Sequence, residues 1–230
     1  PVRQRRHPGA GSAVRDAATV CESFEKLKKT TGQPIPESFL ADISSKLSER
    51  RRHIADQDSQ MADGLKTMRD VLAAARARLL KWPLGDLQLA HVARGLKKTY
   101  RRGRDAMQDA YAEPSVARFH EWRKRVKYHW YHTRLLRDVW PPVMRCRAAE
   151  LKSLSDDLGD AHDLAVLRTV LQTEFDSASD RVGVRLILAS IESKAADFVT
   201  HAHPLGERLF ADKPKWLSKR VKNYWNARRR

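Results

Sequence analysis

The chain has 230 residues, long enough to bury a substantial apolar core, and its 45 Lys and Arg against 28 Asp and Glu leave a formal charge of +17. An excess of that size exceeds what solubility requires and implies a polyanionic partner: nucleic acid, an anionic membrane surface or a phosphate polymer. Arg outnumbers Lys, and a guanidinium forks onto phosphate oxygens where an ammonium acts as a point charge, which favours specific phosphate contacts.

Helical periodicity runs through nearly all of the sequence, with almost no alternating strand pattern. Breakers fall at Gly32 to Pro36, Trp82-Pro83 with Gly85, Glu113-Pro114-Ser115, Trp140-Pro141-Pro142, Gly159, and His203-Pro204 with Gly206. They divide the chain into expected helices at 12–30, 36–56, 58–81, 86–112, 115–139, 143–158, 160–176, 180–201 and 205–226. Short connections favour antiparallel neighbours, hence bundles.

In the helix expected over 86–112, Arg94, Lys97, Arg101 and Arg104 hold one face with Gln108 continuing it. Val92, Leu96, Gly103, Ala106 and Ala110 hold the other. The next helix repeats the design. His120, Arg123, Lys124, Lys127, Tyr131 and Arg134 lie within about 60° of one another's mean direction, while Phe119, Trp122, Val126, Trp130, Leu136 and Trp140 form the apolar stripe. Glu121 and Asp138 lie off the basic face, so like charges repel along it unless a polyanion offsets them. Packed antiparallel with their stripes turned the same way, the two helices would line a positive groove.

A third feature is Leu158-Gly159-Asp160-Ala161-His162-Asp163-Leu164, where Gly159 is expected to end one helix and Asp160 to cap the next, with Asp163 a first-turn acid or a partner for a buried Arg. An echo stands at Ala13-Val14-Arg15-Asp16-Ala17-Ala18-Thr19-Val20, with Arg15-Asp16 in the place of His162-Asp163, which suggests a weak internal repeat.

His120-x-x-Arg123-x-x-x-Lys127-x-x-x-Tyr131 opening a helix, followed by Leu158 to Leu167, resembles the conserved-histidine alpha-helical domain, the CHAD family. The resemblance covers nearly the whole chain. It implies an all-α fold, a single domain over 1–230 with halves at 1–112 and 115–230, built as two antiparallel helical bundles related by a pseudo-twofold repeat. It also implies binding of inorganic polyphosphate, with association with polyphosphate granules, on a surface that includes His120, Arg123, Lys127 and the Arg94 to Arg104 stripe; Lys124, Tyr131, Arg134 and Arg15 complete the expected set. Two departures stand out. Trp130 occupies a position where the family often has another basic residue, so that contact is expected to be missing or supplied by Arg134. The first half is expected to lack its opening helix, or to begin before the sequence does, because 42 residues separate His120 from His162 whereas 14 precede Arg15; Val2 to His7, with Arg3, Arg5 and Arg6, would be its remnant or a basic arm.

The expected mechanism is binding without catalysis and without a cofactor or metal. Arg and Lys supply affinity, Tyr131 helps hold the stripe in place, and His120 donates a hydrogen bond that strengthens on protonation. A nucleic-acid-binding protein is the main alternative, supported by the basic tail from Lys219-Arg220-Val221-Lys222 to Arg228-Arg229-Arg230, although the basic faces offer few aromatics for base stacking. A metal-dependent phosphohydrolase would draw on His120, His129, His132, His162 and Asp163, but His129 lies opposite His120 on the helix and no His-x-x-x-His pair has a carboxylate to complete a site. A purely structural scaffold is the third. Cys21 and Cys146 form no Cys-x-x-Cys pair, and neither a secretion signal nor a membrane span is apparent, so a soluble, cytoplasmic protein is expected.

Overall fold

The computed structural model describes residues 12–32, 34–57, 61–82, 89–175 and 181–228, and among these the apolar spacings of three and four become helices, with no strand. In chain order they are α1 (Ser12–Thr30), α2 (Glu37–Gln57), α3 (Met61–Leu80), α4 (Leu89–Ala112), α5 (Val116–Leu135), α6 (Pro141–Glu174), α7 (Arg181–Leu209) and α8 (Pro214–Arg228), with a 3-10 turn at Arg137–Val139. No helix among the described residues is long and apolar enough to cross a membrane. The expected arm at Val2 to His7, the turn at Gly85, and Arg229-Arg230 lie outside the described residues.

Two expected breaks are absent. Gly159 sits inside the continuous helix α6, so Asp160 caps nothing and Asp163 lies in mid-helix rather than in a first turn. Pro204 sits inside α7, which runs on to Leu209. A proline in a helix interior removes one hydrogen bond and costs about 3 kcal/mol or more. Here Ala202, Leu209 and Phe210 on either side are buried, and the Tyr111 hydroxyl donates to the Val199 carbonyl (2.8 Å) just before the weakened turn. Tertiary packing thus holds a helix that local preference would end.

The chain divides into two compact units, and both α6 and α7 contribute to each. The first comprises residues 1–84 and 166–191. In it Ala17, Val20, Phe24 and Leu27 of α1 are buried, as are Leu40, Ile43 and Leu47 of α2, which packs against α1. Leu167, Leu171 and Phe175, with Val184, Ile187 and Ile191, complete its buried apolar set. Thr31 and Ser190 exchange a hydroxyl hydrogen bond of 3.0 Å, and Arg50 pairs with Glu174 at 3.3 Å. On α3, by contrast, Leu65, Met68, Val71, Leu72, Leu79 and Leu80 are all exposed.

The second unit comprises residues 85–165 and 192–230. Ser115 starts α5: its backbone is extended (φ −156°, ψ 154°) and its hydroxyl accepts from the Arg118 N–H at 3.3 Å, a helix-starting contact that contributes about 1 kcal/mol. From α4, Leu96, Tyr100, Met107 and Ala110 are buried; from α5, Trp122 and Val126; from α6, Leu151, Leu154 and Leu158. Leu209, Phe210, Leu217 and Val221 close this core from α7 and α8. Each such side chain contributes roughly 1.5–3 kcal/mol by leaving water. Val92 and Trp140, assigned above to apolar stripes, are instead exposed; α5 ends at Leu135, and Trp140 lies beyond it with its ring against Tyr224.

Candidate phosphate-binding site

The buried line of α5 is Trp122, Val126, His129 and Thr133. Those spacings of four, three and four point one face into the core, and His120, Arg123, Lys127, Tyr131 and Arg134 therefore take the opposite side. That side is not open water throughout, because α6 approaches its first half. The His120 and His162 rings lie 4.4 Å apart between centroids.

The approach depends on Gly159. A Cβ there would stand 2.9 Å from Nη2 and 3.1 Å from Nε of Arg123, so the guanidinium lies directly on the bare backbone of α6. Gly in a helix interior costs about 1 kcal/mol relative to Ala, and this contact is the physical reason for it. Arg123 is half-buried, and its Nε, like Nδ1 of His120, is buried with no hydrogen-bond partner among the described residues. Buried polar groups normally find partners, so the unspent Nε–H of Arg123 marks a place where an outside acceptor would be favoured.

Burial, and then the neighbouring His162, Lys124 and Arg123, push the His120 imidazole below its ordinary pKa, so it is neutral at pH 7. A bound anion would reverse those charge effects and draw a proton onto the ring. Lys127 is half-buried beside this cluster on the same helix face. Tyr131 is exposed, with its ring 4.9 Å from Trp130. Trp130 holds the position where a further cation was expected, and Arg134 stacks over its face at 4.8 Å, so the aromatic ring orients a cation from the next turn.

Lys124 departs from the expected picture of an unpaired stripe. Glu121 reaches across one turn to pair with Lys124 and also holds Arg125 at 2.5 Å, and its carboxyl lies below the usual range because Lys124 donates to it. Helical neighbours three apart meet on the surface, so an acid off the face still quenches a cation at its edge.

The α4 residues have other surroundings. Arg94, Lys97 and Arg101 are exposed, while Arg104 donates to the Asp212 carbonyl at 3.3 Å, alongside the Tyr100 hydroxyl at 3.0 Å. The α5 cluster turns to α6 and the end of the α4 stripe turns to the link before α8. Arg15, in the other unit, is exposed on α1 with Nε 3.9 Å from Asp16. It shares a sequence echo with the His162 segment, but it shows none of the burial of Arg123.

The CHAD domain family model matches residues 5–172. The chain belongs to the CHAD family. The match is shorter than the near-complete coverage that the motifs suggest, and it stops before α7 and α8, which close the core behind α5 in this CHAD protein. Comparisons with curated proteins and with solved structures return no match. Among the described residues no group of three or more His, Cys, Asp or Glu side chains is placed to hold a metal ion.

Sequence reasoning missed the burial of His129 and the partnership of Gly159 with Arg123. A signal for His129 was present: it falls in phase with Trp122 and Val126 at helical spacing. For Gly159 the signal was misread, since a helix-terminating glycine and one that admits a neighbour look alike in sequence.

Proposed function

We propose that this CHAD protein binds inorganic polyphosphate on the α5–α6 face of its second unit, without catalysing a reaction. The CHAD domain is associated with polyphosphate binding in general. The observation that carries the reading for this chain is Arg123, seated on Gly159 with a buried, unpartnered Nε beside His120 and His162.

In this reading Arg123 donates to phosphate oxygens from a fixed position, and Lys127 adds charge one turn on. Arg134 extends the track along α5. His120 donates a hydrogen bond to the anion and takes up a proton as it does so. The exposed cations Arg94, Lys97 and Arg101 hold further phosphates loosely, and Arg15 serves the corresponding role in a pseudo-twofold partner bundle. Affinity comes from neutralising several phosphates at once and releasing their counterions. Targeting to polyphosphate granules in the cytoplasm follows from the same contacts.

Titration calorimetry with polyphosphates of graded length, beside a short DNA duplex and a single-stranded RNA, at two salt concentrations, tests the proposal. Affinity is expected to rise with polymer length, to fall steeply with salt and to exceed that for either nucleic acid. Equal affinity for all three polyanions would reduce the surface to nonspecific attraction, and displacement of RNA by RNA alone would assign it to nucleic acid.

A further inference from the structure

A second group of unspent donors lies in the same unit, away from the α5–α6 face. Arg147 of α6 is largely buried; its Nη2 donates to the Leu209 carbonyl at 2.7 Å, the last residue of α7, and to Nε2 of His129 at 3.2 Å. Both acceptors are neutral. Because His129 accepts at Nε2, its ring proton sits on Nδ1, which is buried and without a partner among the described residues, as is Nε of Arg147. His129 is 1 % exposed, and burial followed by the charge of Arg147 keeps it neutral. The nearby carboxylate of Asp212 is already bonded to Arg220 at 2.9 Å. The Arg147 guanidinium, only partly exposed and 5.9 Å from the Tyr100 ring, thus has no carboxylate bonded to it among the described residues.

These two side chains line a cleft of about 490 Å³, within the range of small-molecule sites. Its walls are otherwise mainly apolar: Leu96 of α4, Val143 and Met144 of α6, and Leu217 and Val221 of α8. Glu150, also in the lining, is exposed to solvent, where water screens its charge. We propose that this cleft binds a small carboxylic acid with an apolar body. The hydrocarbon part fills the space between α4, α6 and α8. The carboxylate pairs with the Arg147 guanidinium at the cleft wall and supplies the countercharge that this side chain lacks. Arg220 and Tyr224 also line the cleft, but the Arg220 guanidinium is already paired with Asp212, so among the described residues Arg147 is the one cation without a carboxylate there, which suits a monoanion better than the second charge of a phosphate ester. The site uses none of the residues assigned to polyphosphate and does not depend on that assignment.

Octanoate and its neutral counterpart octanamide are suitable probes, read by thermal unfolding and calorimetry on the full chain. Octanoate is expected to raise the unfolding midpoint by about 3 °C or more and to bind at least about tenfold more tightly than octanamide. Both effects are expected to vanish in Arg147→Met and in Val143→Trp, the latter filling the cleft from a partly exposed position. If Arg147→Met fails to fold by circular dichroism, Val143→Trp decides alone. Equal response to acid and amide, no response to either, or octanoate binding that persists in folded Val143→Trp overturns the proposal.

Discussion

The cations of α4 and those of α5 occupy similar helix positions, yet their surroundings differ. Arg94, Lys97 and Arg101 stand in water, where each is screened and interchangeable with its neighbours. Arg123 is laid on the backbone of α6 and keeps an unspent donor next to two histidines. A row of charge attracts a polyanion; a half-buried guanidinium whose Nε–H has no acceptor among the described residues can recognise one. The difference lies in burial and hydrogen bonding, and charge counting along a helical wheel does not register it.

The strongest way to break this comparison is to reverse one charge in each helix. Arg123→Glu is expected to weaken polyphosphate binding about 10- to 100-fold, the range for losing a charged hydrogen-bond donor, whereas Arg101→Glu changes it by no more than about threefold. Calorimetry on both variants checks this, and equal losses would show that only total charge matters.

Gly159→Ala probes the seat rather than the charge. The added methyl displaces the end of the Arg123 side chain, and affinity is expected to fall about tenfold. Thermal stability should hold or rise, because Ala is favoured over Gly in a helix by up to about 1 kcal/mol. Lower stability together with unchanged affinity would place the glycine in folding alone.

The pH response sharpens the role of His120. Its free-state pKa lies below 6.5 through burial and neighbouring cations, and a bound anion raises it. Affinity therefore increases as pH falls through the bound-state value, by about fivefold from pH 8 to pH 6, with proton uptake visible as a buffer-dependent heat. His120→Gln should flatten that profile. For stability of the free protein the sign is opposite: a depressed histidine pKa means that the unfolded chain takes up protons first, so stability declines as pH drops below about 6.5. The buried His129 adds to that decline in the same direction.

The smallest expected effect comes from the edge of the stripe. Glu121→Gln releases Lys124 from its ion pair and should strengthen binding about twofold, measured in the same titration at low salt. A loss of affinity instead would show that Glu121 orients Lys124 for its ligand.

Most helices were legible because apolar residues at three and four positions leave little choice of period, and Ser115 carries its own start signal. The fate of Gly159 and Pro204 was not legible. Local preference argues for a break at each, and the helices continue because Arg123 lies over one and the core of the second unit surrounds the other. His129 has the right phase for the core but a polar ring, and its burial comes with an Arg147 donor at Nε2 and with the Tyr100 and Phe210 rings beside it.

Sequence by itself determined the all-helical class, the net positive charge and the face on which His120, Arg123 and Lys127 meet, since periodicity and composition are local properties. Tertiary structure alone decided which cation keeps an unspent donor, because that depends on a glycine 36 positions further along the chain from Arg123. Desolvation and hydrogen-bond partnership are set by neighbours in space, and those neighbours are distant in sequence.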